Sequence, residues 1–538
     1  ISIGAAGVLQ YIGTTADSTS RAITLTGSGA TLDASGTGSI VYSGGVTGNN
    51  FNLNLTGTGT GAESGVIGTT TGALTKSGTG TWSLTGLNTY RGTTTINNGT
   101  LAINTLFNVS GGASSLGAPT TTANGTITLG SVGNTGVLAY TGTGSSSSRP
   151  FSIASGGAGT IQTNAGSGAL TLSGALGGAA TPVTFNVGGG DITYSGVIGT
   201  GTGSVTKIGT GTLTLSGVNT YTGLTAIQAG ILRLNSVSAL GGTGSGGSAA
   251  SVANGAALDL NFTGTLADSN MITLSGTGPT GGGALTFSGN NITLNNPIGL
   301  ASGPGVLIQG NGTGVMAVGG GAGITGSASN LTINLPNASV KLPAITLSSG
   351  ALSVVSGGVL TLGSSIFANT SGRSIVLVGS SFINNAGASA LNPGGGSFLV
   401  WSGNPANDTR GGLVYNFKQY NAVYNSSPVL GAGNGFLYII APTITPSLTG
   451  VVSKTYDATN VATLTAGNFS NTGAIDGDTV TLTNSGATYG SVNVGNNINV
   501  AATGISIASA TNGSVAVYGY QMSSTSANAN IGRITAAP

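Results

Sequence analysis

Ten carboxylates, twelve lysines and arginines, and no histidine or cysteine make up the acid–base chemistry of this 538-residue chain, tyrosines aside. Without imidazoles or thiols, Ser-His-Asp hydrolases, cysteine nucleophiles, disulfides and the usual zinc sites are excluded. The acids are Asp17, Asp33, Glu63, Asp191, Asp259, Asp268, Asp408, Asp457, Asp476 and Asp478. A glycosidase needs two carboxyl groups about 5–9.5 Å apart. Asp476 and Asp478 could meet that spacing, yet they flank Gly477 in a DGD sequence whose expected state is a solvated hairpin turn. Calcium wants about six to eight oxygens, and two carboxylates make a poor cage. Asp408 and Arg410 sit close to Trp401 in sequence, with the expected role of a surface turn whose single ion pair is worth under about 1 kcal/mol. Lys454 could form a side-chain isopeptide bond with an asparagine, but the sequence places no carboxylate to assist it. The glycine-rich GGGAG (319–323) lacks the lysine of a phosphate-binding loop. No catalytic, cofactor-binding or metal-ligating residue is therefore assigned.

The elements that must carry these residues are strands. Apolar residues recur two apart in GTLTLSG (Leu213, Leu215), ALTLSG (Leu170, Leu172), LTINL (Leu331, Ile333, Leu335) and VLTLG (Leu360, Leu362). Glycine or Asn-Gly closes most of these runs, and 101 glycines supply the turns. Charged residues total 22, roughly one in 24, with a net charge of +2. That balance carries no signal for nucleic acid or an anionic membrane. Mean hydropathy is +0.32, but the longest apolar stretches are as short as FLYIIAP (436–442), far below the ~20 residues of a spanning helix. The opening ISIGAAGVLQ shows no basic segment, so an export signal is expected to lie outside this sequence.

Repeats decide the architecture. Residues 74–104 and 205–235 align without a gap at an offset of 131, matching Lys76 with Lys207, Asn88 with Asn219, Tyr90 with Tyr221 and Gly99 with Gly230. SGVIG (64–68) returns at 195–199, and GVLQY (7–11) returns as GVLAY (136–140). A unit of about 130 residues has been duplicated, each built from strand-turn modules of roughly 20–25 residues. Such modules cannot bury an inward face alone and must stack. The fold expected is all-β, a right-handed parallel β-helix (β-solenoid) over 1–441 followed by a small β-rich module over 442–538. Stacking also explains the scarcity of charge, because like charges in adjacent coils repel across about 4.8 Å. Aromatic residues gather in 381–424, including Phe398, Trp401, Tyr415, Phe417, Tyr420 and Tyr424, and are expected to cap the stack near 381–441 rather than form a sugar platform. APTITPSLTG (441–450), with Pro442 and Pro446, reads as a short semi-rigid linker.

Two segments resemble known families. GTGTLTLSGVNTYTGLTAIQAGILRLN and its partner at 78–104 look like the passenger-associated repeat of bacterial autotransporters. SKTYDATNVATL (453–464), IDGDTVTL (475–482), NVGNNINV (493–500) and YGYQMSSTSANANIGRIT (518–535) resemble the YDG domain of filamentous-haemagglutinin-type exported proteins. Ala458 stands where that family usually has glycine after Tyr-Asp, which suggests a turn without an obligate positive φ. The resemblance implies a Gram-negative surface or secreted protein: a non-catalytic β-helical stalk or extracellular fibre subunit serving adhesion or biofilm structure. Expected partners are further copies of the chain, joined through terminal strand edges into an oligomer or filament, and surface glycans. Nucleic acid, cofactors and a membrane span are not expected. The alternative is a carbohydrate-active β-helix enzyme of polysaccharide-lyase type.

Overall fold

A computed structural model describes residues 1–242, 248–320 and 323–538. Residues 321 and 322 of the GGGAG loop lie outside the described residues. The fold is almost entirely β, a parallel β-solenoid with a sheet-rich C-terminal region. The described helices are one α-turn, Thr122–Gly125, and three 3-10 turns. Contacts divide the chain into two compact units, Ile1–Asn334 and Leu335–Pro538.

In the first unit each coil visits three sheets in turn. Ile23–Leu25, Ala30–Ala34 and Ile40–Tyr42 form one such coil, and each pairs in parallel with the next, Ile23 opposite Val46, Ala30 opposite Leu53 and Ile40 opposite Gly61. The period-two pattern sets which side chains enter. In Ala30–Ala34 the residues Ala30, Leu32 and Ala34 are buried while Thr31 and Asp33 are half-exposed. Two apolar side chains per strand, repeated coil after coil, make a continuous column such as Leu32, Leu55 and Lys76, where the lysine is the exception. Outward positions align as hydroxyl columns, for example Thr160, Thr184 and Thr206 in one sheet and Thr171, Thr193 and Thr214 in another.

Coil length varies with the loops. Leu74 pairs with Thr94, a step of 20 residues, whereas Thr94 pairs with Ile127, a step of 33. The long step holds the α-turn Thr122–Gly125, whose Thr121 side chain caps it by accepting from the Asn124 amide. These unequal steps rotate the duplication about the coil axis. Leu74–Lys76 shares its sheet with Ile198–Gly199, while its sequence counterpart Val205–Ile208 lies in the neighbouring sheet with Thr81–Leu84. The 131-residue offset therefore spans a non-integral number of turns, and equivalent residues occupy different faces.

The second unit begins with the same geometry. Ala338–Leu342, Val359–Leu362 and Ser381–Asn384 stack in parallel, as do Leu352–Ser356, Arg373–Val378 and Ser397–Ser402. The regular order then breaks. Gly435–Tyr438 adds to Ser397–Ser402, and the earlier strand Phe417–Gln419 lies outside it. Val515–Tyr518 adds in parallel to Phe417–Gln419 and pairs antiparallel with Ser506–Asn512, which pairs antiparallel with Thr479–Thr483. One strand thus converts parallel stacking into an antiparallel sheet. A second sheet runs through Val452–Thr455, Ser526–Thr535, Gly495–Thr503 and Gly486–Tyr489.

Two expectations are corrected within this unit. The proline-containing 441–450 segment is not a linker: Thr443–Leu448 is a strand with alternating burial, pairing antiparallel with Phe469–Thr472. Pro446 faces inward there, opposite Asn471 and beyond Thr443 and Ile444, the two residues at which the strand pairs on its other side, so the strand is an edge at the proline. Ala458 also adopts φ of 61°, so its turn does require the left-handed region. Replacing Ala458 with glycine relieves that strain, offset in part by the greater freedom of glycine in the unfolded chain. We expect Ala458→Gly to stabilise the C-terminal sheets by roughly 0.5–1 kcal/mol, read as a higher urea midpoint; an unchanged or lower midpoint contradicts this account of the turn.

Candidate functional site

Buried polar residues concentrate the chemistry of both units, and in the first unit the repeats supply most of them. Lys76 and Lys207 point inward and are fully buried. The Lys76 ammonium donates to the backbone carbonyls of Ser77 (2.7 Å), Gly78 (2.8 Å) and Asn98 (3.0 Å). Lys207 repeats this with Ile208 (3.0 Å), Gly209 (2.8 Å) and Ala229 (3.1 Å). Three donors meet three acceptors at a corner where adjacent coils turn. Burial pushes both ammonium groups down to about 8. The corner closes tightly because Gly99 and Gly230 have φ of 69° and 66°, and a Cβ at Gly99 would meet the Gly78 carbonyl oxygen at 2.5 Å.

Asn88 and Asn219 take the place of a strand. Asn88 Oδ1 accepts from the Ile67 amide (2.8 Å) on one side, and its Nδ2 donates to the Ser115 carbonyl (2.6 Å) on the other. Asn219 does the same between Ile198 (2.9 Å) and Ala239 (2.6 Å). The side-chain amide reproduces a peptide group, so the coil-to-coil ladder continues through a segment that forms no strand. Tyr90 and Tyr221 fill the space behind, each hydroxyl paired with a threonine, Thr94 at 2.8 Å and Thr225 at 2.7 Å. Burial pushes the Tyr90 phenol up to about 12. The four positions matched at the 131-residue offset thus make a staple of two parts in each copy, a Lys–Gly corner and an Asn–Tyr bridge.

Three further buried ionisable side chains in this unit, Arg149, Glu63 and Asp268, have no ion pair among the described residues. Arg149 donates to the Gly125 (2.7 Å) and Leu116 (2.7 Å) carbonyls, pinning the insertion that makes the long step. Glu63 is buried, accepts the Gly65 amide at 2.8 Å through Oε1, and leaves Oε2 without a hydrogen bond. Burial pushes its carboxyl up to about 7, against the lowering effect of the Gly65 and Gly45 amides. Asp259, by contrast, pairs with Arg233 one coil away at 2.7 Å and accepts Thr286 and Ser288 hydroxyls.

The second unit holds a cluster that joins the 410–438 segment to the C-terminal sheets. Arg410 donates to Asp476 Oδ2 at 2.5 Å, and Lys418 donates to the same oxygen at 2.6 Å. Lys418 also donates to Asp478 Oδ1, where Asn512 Nδ2 adds a bond of 2.9 Å. Asp478 Oδ2 accepts the hydroxyls of Tyr420 (2.7 Å) and Tyr520 (3.0 Å). The side chains of Lys418 and Asp478 are fully buried. Tyr420 stacks on Tyr438 at 5.7 Å and meets Tyr520 edge-on at 5.0 Å. Burial would raise the Asp476 carboxyl, but Arg410 and Lys418 outweigh it and hold the group below its ordinary value. Burial and the neighbouring Asp478 push the Tyr520 phenol up to about 12.

This geometry revises the reading of Asp476 and Asp478 as a solvated hairpin turn. The turn itself is present, with positive φ at Asp476 and Gly477 and the Asp478 amide donating to Ile475, but cations and phenols enclose it. Arg410 pairs with Asp476, not with Asp408, which instead accepts from Ser402 (2.7 Å) and the Phe382 amide (2.8 Å). Lys454 is held by Asp457 (2.8 Å) and Thr459, with no asparagine among these partners. Trp401, Phe398, Phe417 and Tyr420 are buried and packed against one another's neighbours, not displayed as a platform. Sequence reasoning missed Lys418, Tyr420, Tyr520 and Asn512 as one group. The available signal was a lone lysine inside the aromatic run NFKQYN of a chain poor in charge.

Comparison with known proteins fits this division. The passenger-associated-transport-repeat family matches residues 74–103 and 205–234, and the YDG domain family matches 441–527. The chain is 35% identical over 240 residues to the adhesin BmaC autotransporter of Brucella suis biovar 1 (strain 1330), a match covering 43% of this chain and 6% of that protein. No solved structure matches. The repeats and this relative point to an extracellular, cell-surface protein.

Asn219→Ala deletes both halves of its bridge and leaves the Ile198 amide without a buried partner, a loss of about 1–3 kcal/mol. Hydrogen exchange at Ile198 is expected to accelerate by roughly tenfold or more, and unchanged protection there contradicts the staple. Glu63 gives a pH signature. Its folded value lies above its unfolded one, so between about 4.5 and about 7 unfolding releases a proton and stability falls as pH rises. The fall is about 3 kcal/mol, complete above neutrality, and Glu63→Gln is expected to abolish it; a wild-type denaturation profile flat across that window contradicts the assignment.

Proposed function

We propose that this chain is part of a non-catalytic adhesive surface protein, with its coils serving as a rigid, hydroxyl-lined scaffold. The observation that carries the reading is the staple: the repeat residues Lys76, Asn88, Lys207 and Asn219 spend their polar atoms on backbone groups of adjacent coils. The chain has no cysteine for disulfides, and the buried Lys76, Arg149 and Lys207 instead tie carbonyls of neighbouring segments together. The outward faces offer aligned threonines, which suit hydrogen bonding to the hydroxyls of surface glycans. The YDG module is what favours a relation to filamentous-haemagglutinin-type exoproteins and a place in biofilm structure.

End-to-end assembly by strand addition belongs to the same proposal. Its support is the addition of Val515–Tyr518 to Phe417–Gln419 within the chain, where a coil-type strand accepts a parallel neighbour from a segment about a hundred residues later in the sequence.

Beads coated with the purified chain are expected to bind glycan-bearing cell surfaces above beads coated with an inert protein, and to lose that binding when soluble chain is added. Equal binding by both bead types removes the adhesive reading. Negative-stain images across a concentration series are expected to show end-to-end species. Isolated particles at every concentration remove assembly while leaving adhesion standing.

A further inference from the structure

We propose that Lys418 and Asp478 form an intramolecular isopeptide bond, an amide between the lysine Nζ and the aspartate Cγ. The two side chains are fully buried and already in contact, although 60 residues separate them in sequence. What surrounds them is arranged for condensation rather than for a simple ion pair.

Each group has a task in the chemistry. Asp476 Oδ2 lies 2.6 Å from the Lys418 ammonium and can take one of its protons, leaving a neutral amine. Asp476 passes that proton to Oδ1 of Asp478, and the nitrogen lone pair attacks Cγ of the carboxyl group so neutralised. Negative charge develops on Oδ2, the oxygen that Tyr420 and Tyr520 address at 2.7 and 3.0 Å. Both phenols are pushed upward by burial, so they remain hydroxyl donors at neutral pH. Oδ1, on the lysine side, takes a second proton from the attacking nitrogen. The Cγ–Oδ1 bond breaks and water leaves. An ammonium and a carboxylate become an amide and one water, with no oxidant or other reactant required.

Asp478 rather than Asp476 is the acceptor for two reasons. The Tyr420 and Tyr520 hydroxyls and Asn512 Nδ2 converge on Asp478. Asp476 is committed to Arg410, which keeps it ionised as the proton carrier. Charge balance agrees. The cluster starts with Arg410 and Lys418 against Asp476 and Asp478; condensation removes one charge of each sign and leaves the Arg410–Asp476 pair. A buried Lys–Asp pair is costly because both ions lose water, and the amide carries no such penalty. The enclosing rings of Tyr420, Tyr438 and Tyr520 also limit the water needed for hydrolysis.

Denaturing mass spectrometry of the intact chain tests this directly. The expected mass is below the sequence mass by one water, about 18 Da, with proteolysis yielding a branched peptide joining Lys418 to Asp478. Lys418→Ala and Asp478→Ala should each restore the full mass. Asp476→Asn, which keeps the contact pair but removes the proton carrier, should restore it wholly or slow the loss of water. The full sequence mass in the folded wild-type chain, with Lys418 open to amine-labelling reagents after denaturation, overturns the proposal and leaves an ion pair.

Discussion

Stacked coils of extended chain survive only if each backbone amide and carbonyl finds a partner in the coil above or below. Straight strands satisfy this automatically; corners and strandless segments do not. The first unit answers with side chains that imitate backbone. Asn88 and Asn219 each supply a donor and an acceptor in opposite directions, and Lys76 and Lys207 collect three carbonyls each. Arg149 does the same for the insertion, donating to Gly125 and Leu116. Four of the twelve cations of this chain, Lys76, Arg149, Lys207 and Lys418, are buried, against the usual placement of such charge at the surface.

The second unit meets a different demand, the ending of parallel growth. Gly435–Tyr438 inserts between Ser397–Ser402 and Phe417–Gln419, and Val515–Tyr518 then turns the ladder antiparallel. Aromatic rings fill the widened interior: Trp401 meets Tyr424 at 5.5 Å and Phe436 meets Tyr415 at 5.0 Å. Into that aromatic setting the DGD turn brings two carboxylates against Arg410 and Lys418. Low polarity around them makes partnership obligatory, because an unpaired charge there would cost several kcal/mol.

Much of the architecture was legible because it is periodic. Alternation of apolar residues gave strands, glycine spacing gave corners, and the 131-residue self-match singled out the four positions that form the staple. Reading Asp476, Gly477 and Asp478 as a turn was correct in backbone terms and wrong in environment. Turn chemistry depends on local φ and ψ, whereas burial depends on what Tyr420, Asn512 and Tyr520 do many residues away. Ala458 shows the converse: a residue that favours ordinary φ is held at 61° by its surroundings.

By itself the sequence determined the all-β class, the coil repeat and the four positions that recur at the 131-residue offset, since alternation, turn preference and self-similarity are all written in the chain. Tertiary structure alone decided two things. The phase of the coils sums over every loop, so one long step between Thr94 and Ile127 is enough to help turn the duplicated strands onto different sheets. The partners of Lys418 and Arg410 were settled by proximity across about sixty residues, where low polarity selects whichever opposite charge the folded backbone brings within reach.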